Sequence, residues 1–488
     1  MVIKKESKKE NVEIDVKGSK GISVNKEENL SDWYTNVVQK AELADYAPIK
    51  GFMVIRPNAY SIWQSIQDYF NVVLKKHKVS NAYFPLLIPD SFFKREAKHA
   101  EGFAPELAYV KNTEEGELLA IRPTSETIMY DSYSKWIRSW RDLPLKINQW
   151  CNVIRWEVKQ TKPFLRTREF LWQEGHCVFE DKKSAEGNMN EMISEYKKMV
   201  EDLLAIPTFV GKKSMAEKFP GADTTMTIEA LMPDGKCLQC GTSHNLGQNF
   251  AKTFNVSFKG KDAKDNYAWQ TSWGFSTRLI GAITMVHGDN KGLVIPPRVA
   301  EKKAVIVPIL FDDSREKVLK KCSEIKKSLE KFGVILDDRD GYSPGYKFNE
   351  WEMKGIPIRI EVGPKDVENR KVVVVRRDNG KKEFISEKDI AKKVEETLED
   401  IQKSLFDKAK EFLDSRFDEA KTMNELKKKI DERKIVKVFM IDDPSVEAEI
   451  KSASGGASSR IVEESKKEGK CIFSGKKTNT IAYFAKSY

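Results

Sequence analysis

A chain of 488 residues is long enough for about three domains, because single cores rarely grow past roughly 250–300 residues. At 40% hydrophobic and 32% charged it reads as a soluble globular protein, and it has no run of 18 apolar residues to cross a membrane as a helix. A net charge of +10 permits a polyanionic partner without requiring one, since Lys is mixed with acid along most of the chain. Residues 1–30 hold much Lys and Glu, no Arg and no apolar run; they read as a mobile tail, not as a secretory or transit segment. Between 31 and 300 helices and strands mix. Apolar spacing predicts a helix over 61–77, "AYFPLLIPD" is a short buried strand limited by Pro85 and Pro89, and Thr124 or Ser125 caps a helix over 124–140. The runs 145–158 and 166–179 read as an antiparallel hairpin, and a long helix over about 184–205 follows. From 304 to about 400 strands alternate with helices, which predicts an α/β domain with a largely parallel sheet. Lys- and Glu-rich helices fill about 387–433, and short strands surround "SASGGASSR" in 434–488. The six Cys are scattered apart from Cys237 and Cys240, so reduced thiols and a cytoplasmic location are expected.

The stretch "RTREFLWQEGH" is unusual for a strand. With a period of two, Arg166, Arg168, Phe170, Trp172, Glu174 and His176 share one face. Cations, flat rings and an acid on one side suit a ligand that is both anionic and aromatic, such as a nucleotide. Two other pieces share this character: Arg155 with Glu157 on the preceding strand, and "SWGFSTRLIGA", in which Arg278 opens a helix. Guanidinium groups bind phosphate oxygens bidentately and stay charged at physiological pH. No GxxxxGK[ST] and no GxGxxG occurs, so a nucleotide here is held by arginine clamps and not by a glycine cradle.

These ordered pieces resemble motifs 2 and 3 of the class II aminoacyl-tRNA synthetases, and Pro85 sits where motif 1 has its dimer-interface proline. Together with "RPTSE" (122–126), "FLWQEGH" (170–176), "GTSHNLGQNF" (241–250), "SWG" (272–274) and "VHGDNKGLVIPPRVA" (286–300), they are similar to the prolyl-tRNA synthetase family of the archaeal and eukaryotic type, over about 31–488. The resemblance implies an α/β multidomain protein: a class II catalytic domain with an antiparallel sheet and flanking helices (31–300), an α/β anticodon-binding domain (301–400) and a small α+β C-terminal domain (401–488). It implies activation of L-proline with ATP and Mg²⁺, transfer of the prolyl group to tRNA(Pro), and a homodimer. Carried over position by position, Arg155, Arg166 and Arg278 would be catalytic clamps on ATP. Glu157, Thr167, Phe170, Gln239, Thr242 and Ser276 would complete the ATP side, and Glu229 would hold the Mg²⁺. Thr124, Glu126, Trp172, Glu174, His176, Phe219, His244, Ser272 and Phe103 would form the proline pocket with Arg155. Phe348, Glu352, Lys354, Lys365 and Arg376 would contact the anticodon. The interval from His176 to Ser272 is too short for an inserted editing domain, so none is expected.

Two metal readings compete. Cys237, Cys240 and His244 have the spacing of half a zinc site, but a fourth ligand is not nearby. Relatives of this type carry four zinc-binding cysteines in the C-terminal domain; here Ile441, Val446, Cys471 and Ser474 stand at those positions, and one thiolate cannot hold tetrahedral Zn²⁺. No structural zinc is expected. Tyr488 matches a family tyrosine that docks toward the catalytic domain. The alternative reading is a catalytically silent, tRNA-binding relative with a regulatory role, which loss of a clamp arginine would mark; all three are present. A zinc-dependent nucleic-acid-binding module is a second rival, decided by metal content.

Overall fold

The computed structural model describes residues 21–97, 106–111 and 116–488. Its first helices are α1 (Leu30–Lys40), α2 (Pro57–Lys76), α3 (Glu126–Trp136), α4 (Lys182–Leu204) and α5 (Arg278–His287). In α2, Ala59, Ile62, Trp63, Ile66, Phe70, Val73 and Leu74 recur at steps of three and four and form one buried stripe. Helix α4 does the same with ten residues, including Met192, Tyr196 and Leu203. Where they meet, the rings of Phe70, Tyr196, Trp273 and Phe275 pack largely edge to face.

These helices cover a sheet whose first seven strands are β1 (Ser80–Asn81), β2 (Leu145–Ile154), β3 (Glu169–Phe179), β4 (Phe209–Lys212), β5 (Thr224–Leu231), β6 (Lys236–Gly247) and β7 (Trp269–Ser276). Neighbours from β4 to β2 pair antiparallel, and the order β4-β5-β6-β7-β3-β2-β1 places the central β6, β7 and β3 side by side. The interval from His176 to Ser272 is thereby spent on α4 and on strands of this sheet, which leaves no room for an inserted domain.

The second region has strands β8 (Ala304–Pro308), β9 (Val334–Leu336), β10 (Ile358–Val362), β11 (Lys371–Arg376) and β12 (Lys382–Ser386), with helices α6 (Arg315–Ser328), α7 (Pro344–Lys354) and α8 (Ile390–Asp414). Here β8 pairs parallel with β9 and β10, whereas β11 and β12 run antiparallel, so the sheet is mixed and not largely parallel. The reason is chain length: the connection 363–370 is shorter than the roughly dozen residues a parallel crossover takes. Helix α8 runs straight through residue 400.

The last strands, β13 (Phe417–Glu419), β14 (Ile435–Phe439), β15 (Ser458–Lys470) and β16 (Lys477–Ser487), do not form a sheet of their own. They extend the catalytic sheet to eleven strands through the β15–β4 pairing at Val462 and Lys212, and β16 also runs parallel to the start of β6. In this region helix α9 (Pro444–Ala453) packs on β15. The Ile441, Cys471 and Ser474 positions do meet there: the buried Cys471 thiol is pushed up by burial, but hydrogen bonds from Ser474 and from the backbone of Ile441 and Phe473 hold it below its ordinary value. Val446 packs into the neighbouring apolar cluster.

The mobile-tail expectation needs correction for residues 21–29. Ile22 and Val24 pack on the catalytic core, and Lys26 lies over the Trp33 ring while donating to the carbonyls of Met285 (2.9 Å) and Gly288 (2.5 Å). Those carbonyls end α5, where a cation is favoured. Burial lowers the Lys26 ammonium to about 8, with Asp289 opposing the shift. Residues 1–20 lie outside the described residues.

Candidate active site

Strands β3, β6 and β7 set a row-by-row floor. Across it, His244 pairs with Ser272 and Ser272 with His176; one step on, Thr242 pairs with Gly274 and Gly274 with Glu174. On β3 the alternation works as the sequence suggests: Phe170, Trp172, Glu174 and His176 all line one cavity of about 650 Å³. The opposite face needs Gly175, because a Cβ there would lie 2.2 Å from the Trp273 ring.

Before Glu169 the period of two fails. The strands end at Ile154 and resume at Glu169, so Arg155, Glu157, Arg166 and Arg168 sit in the connection and not on strands. That connection folds on itself through the Lys162–Arg166 bridge and sinks Phe164 and Leu165 into the core. Thr167 therefore faces the cavity, and Arg168 does not: its Nε donates to the Val158 carbonyl at 2.9 Å and its guanidinium stacks on Trp156 at 4.5 Å. Grouping Arg168 with the ligand face is corrected accordingly.

A second departure from simple periodicity lies on β6. Gln239 and Thr242 are three apart and would face opposite ways, but a bulge between Gln239 and Gly241 shifts the register, so Gln239, Thr242 and His244 all line the cavity. Of the CxxC pair, Cys240 also borders the cavity, whereas Cys237 does not. Cys237 and Cys240 are buried in separate apolar clusters, with burial pushing Cys240 up to about 12, and among the described residues they form no metal-holding cluster with His244.

One side of the cavity is cationic. Arg155, Arg166 and Arg278 line it together, although they come from three separate stretches of chain. Arg278 is positioned by bonds from Nε to the Leu165 carbonyl (3.1 Å) and from Nη1 to the Gln239 carbonyl (3.2 Å). The Arg155 guanidinium stands 5.3 Å from the Phe170 ring and 5.7 Å from Trp172. Burial lowers the pKa of Arg155 against the pull of Glu157, Glu126 and Glu174; burial and then the charge of Arg155 lower Arg278. Glu157 and Ser276 line the same side.

The other side holds a buried acid–imidazole network. Ser125, at the N-cap position of α3, turns its hydroxyl away from the helix and donates to Glu174 Oε1 at 2.5 Å; Gln149 Nε2 donates to the same oxygen at 2.9 Å. His176 Nε2 meets Glu174 Oε2 at 3.0 Å and Tyr130 holds His176 Nδ1 at 3.0 Å. Burial opposes charge on both partners, yet the His176 hydrogen bond and charge hold Glu174 below the usual carboxylate range, and Glu174 and Glu126 hold His176 above the usual imidazole value. Glu126 is bonded by the Thr124 hydroxyl and is nearly sealed from solvent outside the cavity. His244 is driven to about 3 by burial and by His176, so it is neutral. Its ring packs 4.7 Å from Phe219, and Thr225, absent from the sequence expectations, bonds both His244 Nδ1 (2.9 Å) and the Phe219 N–H (3.0 Å). Ser272 is buried, and among the described residues no group bonds its hydroxyl. Tyr130 and Gln149 escaped the sequence reading because they support from behind, Ser125 was read only as a helix cap, and Thr225, which lines the cavity, belongs to no motif.

Two expected residues are not part of this cavity as described. Phe103 lies outside the described residues. Glu229 is fully buried and engaged: Lys213 Nζ sits 2.8 Å away, Arg460 Nη2 donates at 3.0 and 3.1 Å, and Thr227 donates at 3.0 Å. Those two cations hold its carboxyl below the usual range despite burial. The structure does not bring Glu229, expected to hold Mg²⁺, to the cavity lining: its carboxylate is bonded to Lys213 and Arg460 instead. Among the described residues no cluster of three or more His, Cys, Asp or Glu side chains is placed to hold a metal. Tyr488 does reach the cavity wall: its hydroxyl donates to Asp234 at 2.7 Å and its N–H to the Cys237 carbonyl at 3.2 Å.

The five anticodon candidates do not converge. Phe348 lies 4.2 Å under the Arg359 guanidinium, and Glu352 pairs with that same Arg359 at 2.9 Å. Lys354 is drawn off to Glu350 and Glu42, and Lys365 is exposed on a separate short helix. Arg376 aligns with Ile358 on the opposite sheet face and pairs with Asp400 of α8. Arg359, which no motif singled out, is the hub on the Phe348 side.

Residues 109–287 match the tRNA synthetase class II core domain (G, H, P, S and T), residues 303–397 an anticodon binding domain, and residues 423–488 the C-terminal domain of prolyl-tRNA synthetase. Among similar proteins, a proline–tRNA ligase of Alkaliphilus oremlandii is 48% identical over 95% of this chain and 97% of its own length. A proline–tRNA ligase of Natranaerobius thermophilus is 48% identical over 94% and 97%, and one from Cenarchaeum symbiosum 46% over 96% and 99%. With three matching domains in order and near-complete coverage at this identity, the chain belongs to the prolyl-tRNA synthetases of class II.

Proposed function

We propose that the cavity joins L-proline to ATP, forming prolyl-adenylate and pyrophosphate, and then passes the prolyl group to the 3′ end of tRNA(Pro) with release of AMP. The observation that carries this is the division of the cavity: Arg155, Arg166 and Arg278 on one side, and Glu126 beside Trp172, Phe219 and His244 on the other. ATP enters as its Mg²⁺ complex, the form class II synthetases generally use. Phe170 offers a flat face to the adenine, with Glu157, Thr167, Gln239, Thr242 and Ser276 around the nucleotide.

Proline's ammonium needs an acid, its ring needs apolar walls, and its carboxylate must face the α-phosphate. Glu126 and Thr124 serve the first; Trp172 and Phe219 serve the second; the unbonded Ser272 hydroxyl and the neutral His244 lie within the same pocket. The carboxylate is already ionised, so attack on phosphorus needs no general base. What the chain supplies is positioning and charge neutralisation as the bond to pyrophosphate breaks. The Glu174–His176 pair braces the floor beneath Glu126. An apolar pocket separates neighbours in size by only about 1–3 kcal/mol per methylene, so alanine is expected to be activated at a lower rate.

The region matched to an anticodon binding domain supports tRNA(Pro) as partner, with Phe348, Glu352 and Arg359 grouped on one face. A homodimer is supported by exposed apolar side chains near the motif 1 segment, among them Val72 and Tyr83 at 69% and 70% exposure. A cytoplasmic setting fits six free cysteines, and among the described residues no helix is long and apolar enough to cross a membrane. The silent-relative alternative has no support from the clamps, since all three face the cavity. ATP–pyrophosphate exchange tests the proposal: proline-dependent exchange in the parent, strongly reduced by Arg155→Ala, is expected, and absence of exchange with proline overturns it.

A further inference from the structure

Segment 213–220 forms part of the amino-acid side of the cavity, yet most of what holds it comes from residues 442–460, far along the chain. Ser214, fully buried, donates to Glu447 Oε2 at 2.6 Å and accepts from the Ser459 hydroxyl at 2.9 Å. Glu447 Oε1 accepts from the Ser459 N–H at 2.9 Å. The Met215 N–H donates to Asp442 at 2.8 Å, and Lys451 reaches Glu217 at 3.9 Å. From Ser214 the order is passed on locally: its carbonyl accepts the N–H groups of Glu217 (3.2 Å) and Lys218 (2.9 Å), folding the turn that presents Phe219. Phe219 then closes against His244, and Glu217, Lys218, Phe219 and Pro220 all line the cavity.

Glu447 is the unusual member. It is 2% exposed, and no cation lies within ion-pair distance of it among the described residues. Its charge is met only by a hydroxyl, a backbone N–H and the N-terminal turn of α9. Burying a carboxylate in this way is costly, and an apolar side chain would fill the space without that cost. What a carboxylate adds is direction: two oxygens fix Ser214 and Ser459 in one relative placement.

We propose that Glu447 is a positioning residue for amino-acid selection: through Ser214 it fixes the turn that sets Phe219 over the pocket, so the C-terminal module determines how closely that pocket fits its amino acid. The inference rests on the reading of this cavity as a proline-activating site. It concerns a residue that touches neither ATP nor proline, and its effect falls on amino-acid recognition alone.

The test is ATP–pyrophosphate exchange with proline or alanine varied at saturating ATP, and with ATP varied at saturating proline, using the full chain. Glu447→Ala is expected to raise the KM for proline about tenfold and to narrow the proline-to-alanine preference, leaving the KM for ATP unchanged. Glu447→Gln keeps an oxygen that can accept from the Ser459 N–H but must reverse the bond with Ser214, so a rise in proline KM smaller than that of Glu447→Ala is expected. A parent-like proline KM in Glu447→Ala overturns the inference, as does an equal rise in both KM values, which marks general loosening. If Glu447→Ala does not accumulate folded, Ser214→Ala decides: a rise of about threefold in proline KM supports the inference and no rise overturns it. The parent arm separates the two levels, because a parent without proline-dependent exchange removes the enzyme reading itself.

Discussion

Arg155, Arg166 and Arg278 meet in the cavity, and among the described residues no carboxylate lies within ion-pair distance of any of them. In the second region, Arg339 is held by Asp337 at 2.7 Å, Arg359 by Glu361 at 2.9 Å, Arg376 by Asp378 at 2.8 Å and Arg377 by Asp289 at 2.6 Å. The residue type is the same and the situation is opposite. A guanidinium already matched by carboxylates is structural: its charge is spent within the fold. Three guanidiniums line one cavity against their mutual repulsion, with burial lowering two of them, and under the proposed function the charge that answers them comes with the ligand. Residue identity alone thus carries little; the presence or absence of a counter-charge separates clamp from strut.

The sharpest way to break the comparison is to take the anion away from a paired arginine. Glu229→Ala would leave Lys213 and Arg460 buried without a partner, and a loss of about 3–5 kcal/mol in denaturant unfolding is expected. An unchanged midpoint would mean that this cluster is no strut. Next in size, Arg155→Ala removes an unpaired cation: stability should hold while exchange falls about 10²–10³-fold, as for loss of a preorganised charge at a reacting group. A fall in stability with little change in exchange would reverse the assignment.

The Glu174–His176 pair offers a third, pH-dependent test. His176 is raised above its ordinary 6.5, so its contribution is complete below 6.5 and is lost as pH rises through the raised value. Glu174 is depressed below its ordinary 4.5, so its contribution is complete above 4.5 and is lost as pH falls through the depressed value. The parent's advantage in melting temperature over His176→Asn should therefore be widest between 4.5 and 6.5 and narrow on both sides. A difference that stays constant as pH is taken well below 4.5 and well above 6.5 would remove the charged pair. The smallest effect belongs to Arg339→Ala, where a partly exposed ion pair should cost under about 1 kcal/mol and leave exchange unchanged.

Periodicity in "RTREFLWQEGH" was enough to place Phe170, Trp172, Glu174 and His176 together, because a strand in mid-sheet has no freedom to turn its side chains elsewhere. It failed at Arg168, two residues before Phe170, because the strand begins only at Glu169. Ordered motifs singled out the three arginines that line the cavity, since each belongs to a local pattern read along the chain. Residues that brace from behind, such as Tyr130 and Gln149, have no local pattern. Nor did sequence spacing foresee the bulge that brings Gln239 to the same face as Thr242, or the cations that close off Glu229.

The chain by itself determined the main helices, the inward face of the 170–176 strand, three arginines that meet in one cavity and the family to which the chain belongs, because hydrophobic period and motif order are properties of neighbouring residues. Tertiary structure alone decided which charges were already answered. Arg460 and Glu229 stand 231 residues apart, as do Ser214 and Glu447 by 233, and no local regularity foretells which distant side chain will arrive to neutralise or orient another.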